Sequence, residues 1–115
     1  AILLNQNNQF TFTPLPNTTQ VAPTNGILVL DIDSNGTDEI ISVGNHFPVE
    51  VETGRYDAHI GSVLTNDFTT VSLQNSGFFN DKDARDIDVI TIKGNKHIVV
   101  SNNRDRIEFF KIKSR

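Results

Sequence analysis

Two stretches of this chain run in parallel. EIISVGNHFPVEVE (residues 39–52) lines up with HIVVSNNRDRIEFF (97–110), which places Asn45 over Asn103 and Glu50 over Glu108, both 58 positions on. Just upstream, ILVLDIDSNGTD (27–38) lines up with DVITIKGNK (88–96), with a shorter loop in the second copy. AILLNQNNQFTFTPL (1–15) in turn resembles GSVLTNDFTTVSL (61–73). The repeated unit is built of short β-branched and aromatic runs between Asn, Asp, Gly and Pro clusters. That is the pattern of an all-β chain. No window carries apolar positions at i, i+3, i+4 and i+7, so helices are not expected.

The predicted strands are AILL, FTFTP, GILVLDI, EIISVG, VEVE, GSVLT, FTTVSL, RDIDVITI, HIVVS and RIEFFKIK. ILVL is continuously apolar, which predicts a strand buried on both faces. VEVE and FTFT alternate and predict half-exposed strands. All four prolines fall at strand ends or in loops, where a missing N–H is harmless.

A repeat of about four short antiparallel strands has the size of a β-propeller blade. The expected fold is therefore all-β, about two four-stranded blades of a partial propeller. Residues 1–24 would hold the end strands of a preceding blade. Residues 25–75 would form a blade with a loop and an insertion, and 84–113 a final incomplete blade. The chain is expected to be a piece of a longer or processed product. Such a piece exposes sheet edges that invite pairing with other copies, so a homo-oligomer is expected.

Charge excludes some functions. Lys and Arg total 10, Asp and Glu 14, and the net charge is -4, which offers no basic patch for nucleic acid. Nothing in the chain is long and apolar enough to insert into a membrane as a helix. With no cysteine there is neither a disulfide framework nor a thiolate metal site.

DIDSNGTDE (31–39) carries the one clear chemical signal. Calcium takes six to eight oxygen ligands at flexible distances. Asp31, Asp33, Asn35 and Glu39 offer side-chain oxygens, Thr37 offers its backbone carbonyl, and Gly36 permits the sharp turn. Position 12 is Ser42 and no helix is predicted beside the loop, so it is not an EF-hand. The alternative is an Asx-type turn closing a hairpin. That alternative accounts for Asn35–Gly36 but not for three carboxylates placed together, which repel without a cation. Magnesium fits less well, because it demands a stricter octahedron. In the second copy DIDSNG becomes ITIKGN. Ile90 and Ile92 are read as replacing the aspartates and Lys93 adds a positive charge, so one calcium site is expected.

The D-x-D-x-[DN]-G-x-x-[DE] loop between two strands resembles the FG-GAP/VCBS-type repeat, also found in integrin alpha subunits. The likeness extends over most of residues 25–112 and includes NGILVLDIDSNGTDEIISVGNHFPVEVETGRYDA and ARDIDV. It implies a propeller and structural calcium held at the five positions named above. It also implies an extracellular, periplasmic or cell-surface location, and a non-enzymatic role in protein or glycan binding or scaffolding. The family usually has Asp at the ninth position, where this chain has Glu39. A fragment of a propeller-based carbohydrate-active enzyme is the alternative.

ETGRYDAH (52–59) gathers Glu52, Arg55, Tyr56 and Asp57, a candidate binding patch because Tyr and Arg are enriched at binding hot spots. A structured turn, with Arg55 paired to a carboxylate and Tyr56 packed on a strand, is the favoured reading. His46, His59 and His97 lack metal-motif spacing, and no G-x-S-x-G elbow occurs, so no catalytic residues are expected. DKDARD (81–86) lacks a glycine turn and reads as a solvated loop.

Overall fold

The structure is a computed structural model that describes residues 1–48 and 54–113. It is mostly β. The strands in chain order are β1 (Ile2–Gln6), β2 (Gln9–Thr13), β3 (Thr24–Leu30), β4 (Glu39–Gly44), β5 (Ser62–Leu64), β6 (Ala84–Ile92), β7 (Asn95–Asn102) and β8 (Glu108–Lys111). They form three antiparallel sheets: a β1-β2 hairpin, β3-β4-β5, and β6-β7-β8. Among the described residues the sheets close into no propeller, and each larger sheet has three strands rather than the four expected. A rudimentary fourth run exists beside β5, where Leu64 bridges Thr70 and the Val71 N–H donates to the Val63 carbonyl at 2.8 Å.

The repeat is real at the level of backbone register. Ile27 pairs with Ser42 in one sheet and Ile87 with Val100 in the other, offsets of 60 and 58. Both β3 and β6 shift register at matching places, between Thr24 and Gly26 and between Ala84 and Asp86. The Asn45 N–H donates to the Pro23 carbonyl at 2.9 Å, and the Asn103 N–H to the Asp83 carbonyl at 2.8 Å. Two sequences that share few residues therefore make the same bulged hairpin.

The two larger sheets pack face to face. Ile41, Val43 and Val63 from one meet Ala84, Ile87, Ile98 and Val100 from the other, with Phe78 added from the connection. Gly26 lets β3 approach closely: a Cβ there would lie 3.0 Å from Ile87 Cγ2. Gly44 is tighter still, since a Cβ would lie 1.8 Å from the Pro23 carbonyl oxygen. In this hairpin position 44 has no room for a side chain.

Several expectations are corrected. ILVL is not buried on both faces, because Ile27 is 64% and Val29 56% exposed. β3 packs one face on β6, and the other face is open. The equivalent Ile87 is covered because the β3-β4-β5 sheet lies on it. FTTVSL is not a full strand: only Thr70 bridges, and Ser72 then caps a one-turn helix, α1 (Leu73–Ser76), by accepting from the Asn75 N–H. The predicted strand VEVE lies outside the described residues, as does Glu50. The register also moves the loop comparison by one residue. Leu30 is the counterpart of Ile90 and Glu39 of His97, so Asp31 and Asp33 correspond to Thr91 and Lys93. The Ile90/Ile92 match fails because the two loops differ in length and share a register only through the ladders that flank them. Lys93 and Gly94, with φ of 49° and 79°, make a two-residue hairpin turn in place of the longer loop.

Candidate metal centre

The loop begins where the β3–β4 ladder ends, at the Leu30–Glu39 pair. Ile32 packs its side chain against the core, and its N–H donates to Glu39 Oε2 at 2.9 Å. This anchors the middle of the Asp-Ile-Asp triplet. Ile32 is thereby fixed between the two aspartates. Ser34 and Gly36 then take positive φ, 61° and 87°, and wrap the chain back.

The three carboxylates converge. One oxygen from each of Asp31, Asp33 and Glu39 lies within 4.8 Å of the other two, with Glu39 buried and the aspartates half-buried. At that spacing each pair of charges repels by about 1 kcal/mol at the dielectric of water and by roughly 3 kcal/mol at the effective value near a protein surface. A divalent cation among them reverses the sign of that term. Backbone donors already point at the cluster. Asp31 Oδ1 accepts from the Asn35 N–H at 3.1 Å and Oδ2 from the Gly36 N–H at 2.9 Å, while Asp33 Oδ1 accepts from the Asn35 N–H at 3.1 Å. These bonds hold the carboxylates in place.

Asn35 and Thr37 are bonded to each other at the tip of the loop. Asn35 Oδ1 accepts from the Thr37 N–H at 2.7 Å and from its hydroxyl, so the Asn35 side chain closes an Asx turn. The turn and the acidic cluster, weighed as alternatives from sequence, coexist in one loop. Asp31, Asp33 and Glu39 fit a hard oxygen-seeking cation such as calcium by the chemistry of their donors.

The predicted polar patch is brought together only in part. Glu52 lies outside the described residues. Arg55, Tyr56 and Asp57 are exposed, and Tyr56 exchanges both backbone hydrogen bonds with His46, at 2.8 and 3.1 Å. Arg55 stacks its guanidinium 3.8 Å above the Phe47 ring, and among the described residues it forms no ion pair with a carboxylate. Both line an open cleft of about 340 Å³ with Asp83, Asn103, Arg104 and Asp105.

One pairing brings serine and histidine together with the ring nitrogen facing the serine in its protonated tautomer. Ser42 Oγ lies 3.5 Å from His59 Nε2 and 2.6 Å from Ser62 Oγ. The Gly61 N–H, however, donates to His59 Nδ1 at 3.1 Å. In the neutral ring Nε2 therefore carries the hydrogen and cannot take a proton from Ser42. All three side chains are buried, and burial lowers the His59 pKa from its ordinary value, favouring the neutral ring.

Two features escaped the sequence reading. Asn45 is fully buried: its Nδ2 donates to the His59 and Lys82 carbonyls at 2.7 and 3.0 Å, and its Oδ1 accepts from the His59 N–H at 2.9 Å. Its match to Asn103 in the repeat was the available signal. The DKDARD segment is not a solvated loop. Asp83 is 1% exposed and accepts through Oδ2 from Arg85 at 2.8 Å and from Asn103 at 3.0 Å. Lys82 reaches Glu108 at 2.9 Å, a hydrogen bond that raises the lysine pKa, and Asn80 bridges Glu108 and Asn102. A comparison with protein-family models, curated proteins and solved structures finds no match to the chain.

Proposed function

We propose that the chain is a non-enzymatic, calcium-binding module of the FG-GAP/VCBS propeller type, used outside the cytoplasm to bind or scaffold proteins or glycans. The observation that carries the reading is the convergence of Asp31, Asp33 and Glu39 within 4.8 Å at the end of a repeated β-hairpin. The ion would be structural. It would offset the repulsion of the three carboxylates and fix the angle at which β3 enters β4. The matching hairpins of the two larger sheets support the blade reading, and the second hairpin, with its Lys93–Gly94 turn, would carry no ion.

Contact with a partner would use the Phe47–Arg55 cleft and the open apolar surfaces. Leu3, Phe10 and Phe12 on the β1–β2 hairpin are 62%, 68% and 64% exposed, which supports association between copies. A carbohydrate-active enzyme fragment is the second reading, but no described cluster pairs carboxylates inside a closed cleft.

Calorimetry on chelator-stripped protein tests the central reading. One calcium equivalent should bind, and both Asp31→Ala and Asp33→Ala should lose it. An ion at a hundred times its Kd adds about 2.7 kcal/mol to folding stability. Absence of both heat and a rise in melting temperature would leave the loop as a turn alone.

A further inference from the structure

The chain contains two Asn–Gly pairs, Asn25–Gly26 and Asn35–Gly36, in opposite surroundings. Asn25 is held in β3: its Nδ2 donates to the Asn45 and Ala84 carbonyls, both at 2.8 Å, and Gly26 is buried. Asn35 and Gly36 are exposed at the tip of the acidic loop, and nothing lies within 4 Å of where a Gly36 Cβ would be. Asparagine before glycine is the pair most open to attack by the following backbone nitrogen on the side-chain amide, because glycine puts no Cβ in the way.

The loop supplies more than access. The nucleophile is the Gly36 nitrogen, and its hydrogen already points at Asp31 Oδ2, 2.9 Å away. The electrophile is Asn35 Cγ, whose carbonyl oxygen accepts from both the Thr37 N–H at 2.7 Å and the Thr37 hydroxyl. Those two donors polarise the amide and would stabilise negative charge developing on Oδ1, the logic of an oxyanion hole. Acceptor, nucleophile, electrophile and oxyanion donors come from four residues of one turn.

We propose that the acidic loop promotes its own modification: Asn35 deamidates through a succinimide, with Asp31 and Thr37 as positioning residues. The Gly36 nitrogen forms a bond to Asn35 Cγ while its proton passes to Asp31 Oδ2. The Cγ–Nδ2 bond then breaks and the nitrogen leaves as ammonia, taking up that proton. Water opens the five-membered ring at either carbonyl, giving aspartate or isoaspartate at position 35. No oxidant, reductant or cofactor is needed. Calcium would oppose the reaction by engaging Asp31 and Asn35. That suppression rests on the cation reading above; the reaction itself does not.

Peptide mass mapping with isoaspartate detection tests this on the whole chain, incubated folded and metal-stripped, folded with calcium, and unfolded in urea. Asn35 should convert faster in the folded stripped protein than in the unfolded chain, while Asn25 stays intact in the folded protein. Thr37→Val should slow the folded reaction by roughly tenfold, the worth of one such hydrogen bond, and leave the unfolded rate unchanged. Asp31→Asn should slow it likewise. Conversion of Asn35 no faster in the folded protein than in urea would overturn the proposal, as would indifference to Thr37→Val. Promotion in the folded protein that calcium does not suppress supports the proposal and counts against the cation reading alone.

Discussion

Replacing Asn45 by alanine should cost more than any other single polar truncation among the described residues. Its side chain is fully buried and makes three hydrogen bonds, to the His59 carbonyl, the Lys82 carbonyl and the His59 N–H. Truncation removes all three hydrogen bonds, although the Lys82 carbonyl keeps the Ala84 N–H at 2.9 Å. At about 1 kcal/mol each this amounts to roughly 3 kcal/mol. The backbone adds to that. Asn45 sits at φ 81°, a left-handed conformation that asparagine tolerates and alanine resists by about 1 kcal/mol. Asn45→Ala should therefore lose about 4 kcal/mol, and Asn45→Gly about 3 kcal/mol, because glycine recovers the backbone term. The repeat provides the control. Asn103 is half-buried and its side chain makes a single bond, to Asp83 Oδ2 at 3.0 Å, so Asn103→Ala should lose only about 1 kcal/mol. Urea unfolding followed by far-ultraviolet circular dichroism gives all three values. If Asn45→Ala and Asn103→Ala agree within about 1 kcal/mol, the polar clamp is not what joins these segments, and the accounting above is wrong.

Gly44→Ala should unfold the chain or cost well over 2 kcal/mol, because its Cβ would enter the Pro23 carbonyl, and Pro23 cannot withdraw without losing the bond from the Asn45 N–H. Gly36→Ala, at an open φ of 87°, should cost only about 1 kcal/mol in the same urea assay. Stability should fall on acidification through His59. Its native pKa is lowered by burial, so the unfolded chain binds the proton first. The contribution is present in full above the ordinary histidine value near 6.5 and is lost as the pH falls from there toward the native value. Urea midpoints across that range should flatten in His59→Gln. Light scattering should show association that Phe10→Ser with Phe12→Ser removes, and a monodisperse monomer in the parent chain would refute an interface at that hairpin.

The β content and the acidic loop were legible because both depend on neighbours in sequence. Alternation and turn residues mark strands, and DxDxNGxxE places Asp31, Asp33 and Glu39 within one tight loop. The repeat was legible in outline. Its exact register was not, because an eight-residue loop and a two-residue turn cannot be superposed without the ladder pairs on either side. The burial of ILVL was misread because an apolar run reports what a strand could bury, not which neighbour is there to cover it. Ile27 and Ile87 occupy equivalent ladder positions, yet only Ile87 has a sheet above it. The Asp83–Asn80–Glu108 cluster was invisible for a different reason. Its partners lie 20 to 28 residues apart, and a string such as DKDARD shows charge but not enclosure.

Among the described elements, β1 and β2 pack substantially only on each other. A lone two-stranded hairpin is marginally stable in water. Its amides should therefore exchange with solvent through a local opening that costs far less than global unfolding, while the eight paired positions of β6 and β7 exchange only when the whole chain opens. Stability should thus be graded along the chain and lowest in the β1–β2 hairpin. Any surface that captures the paired form would be reported first as slowed exchange at Leu3, Phe10 and Phe12, before any change in the melting of the core.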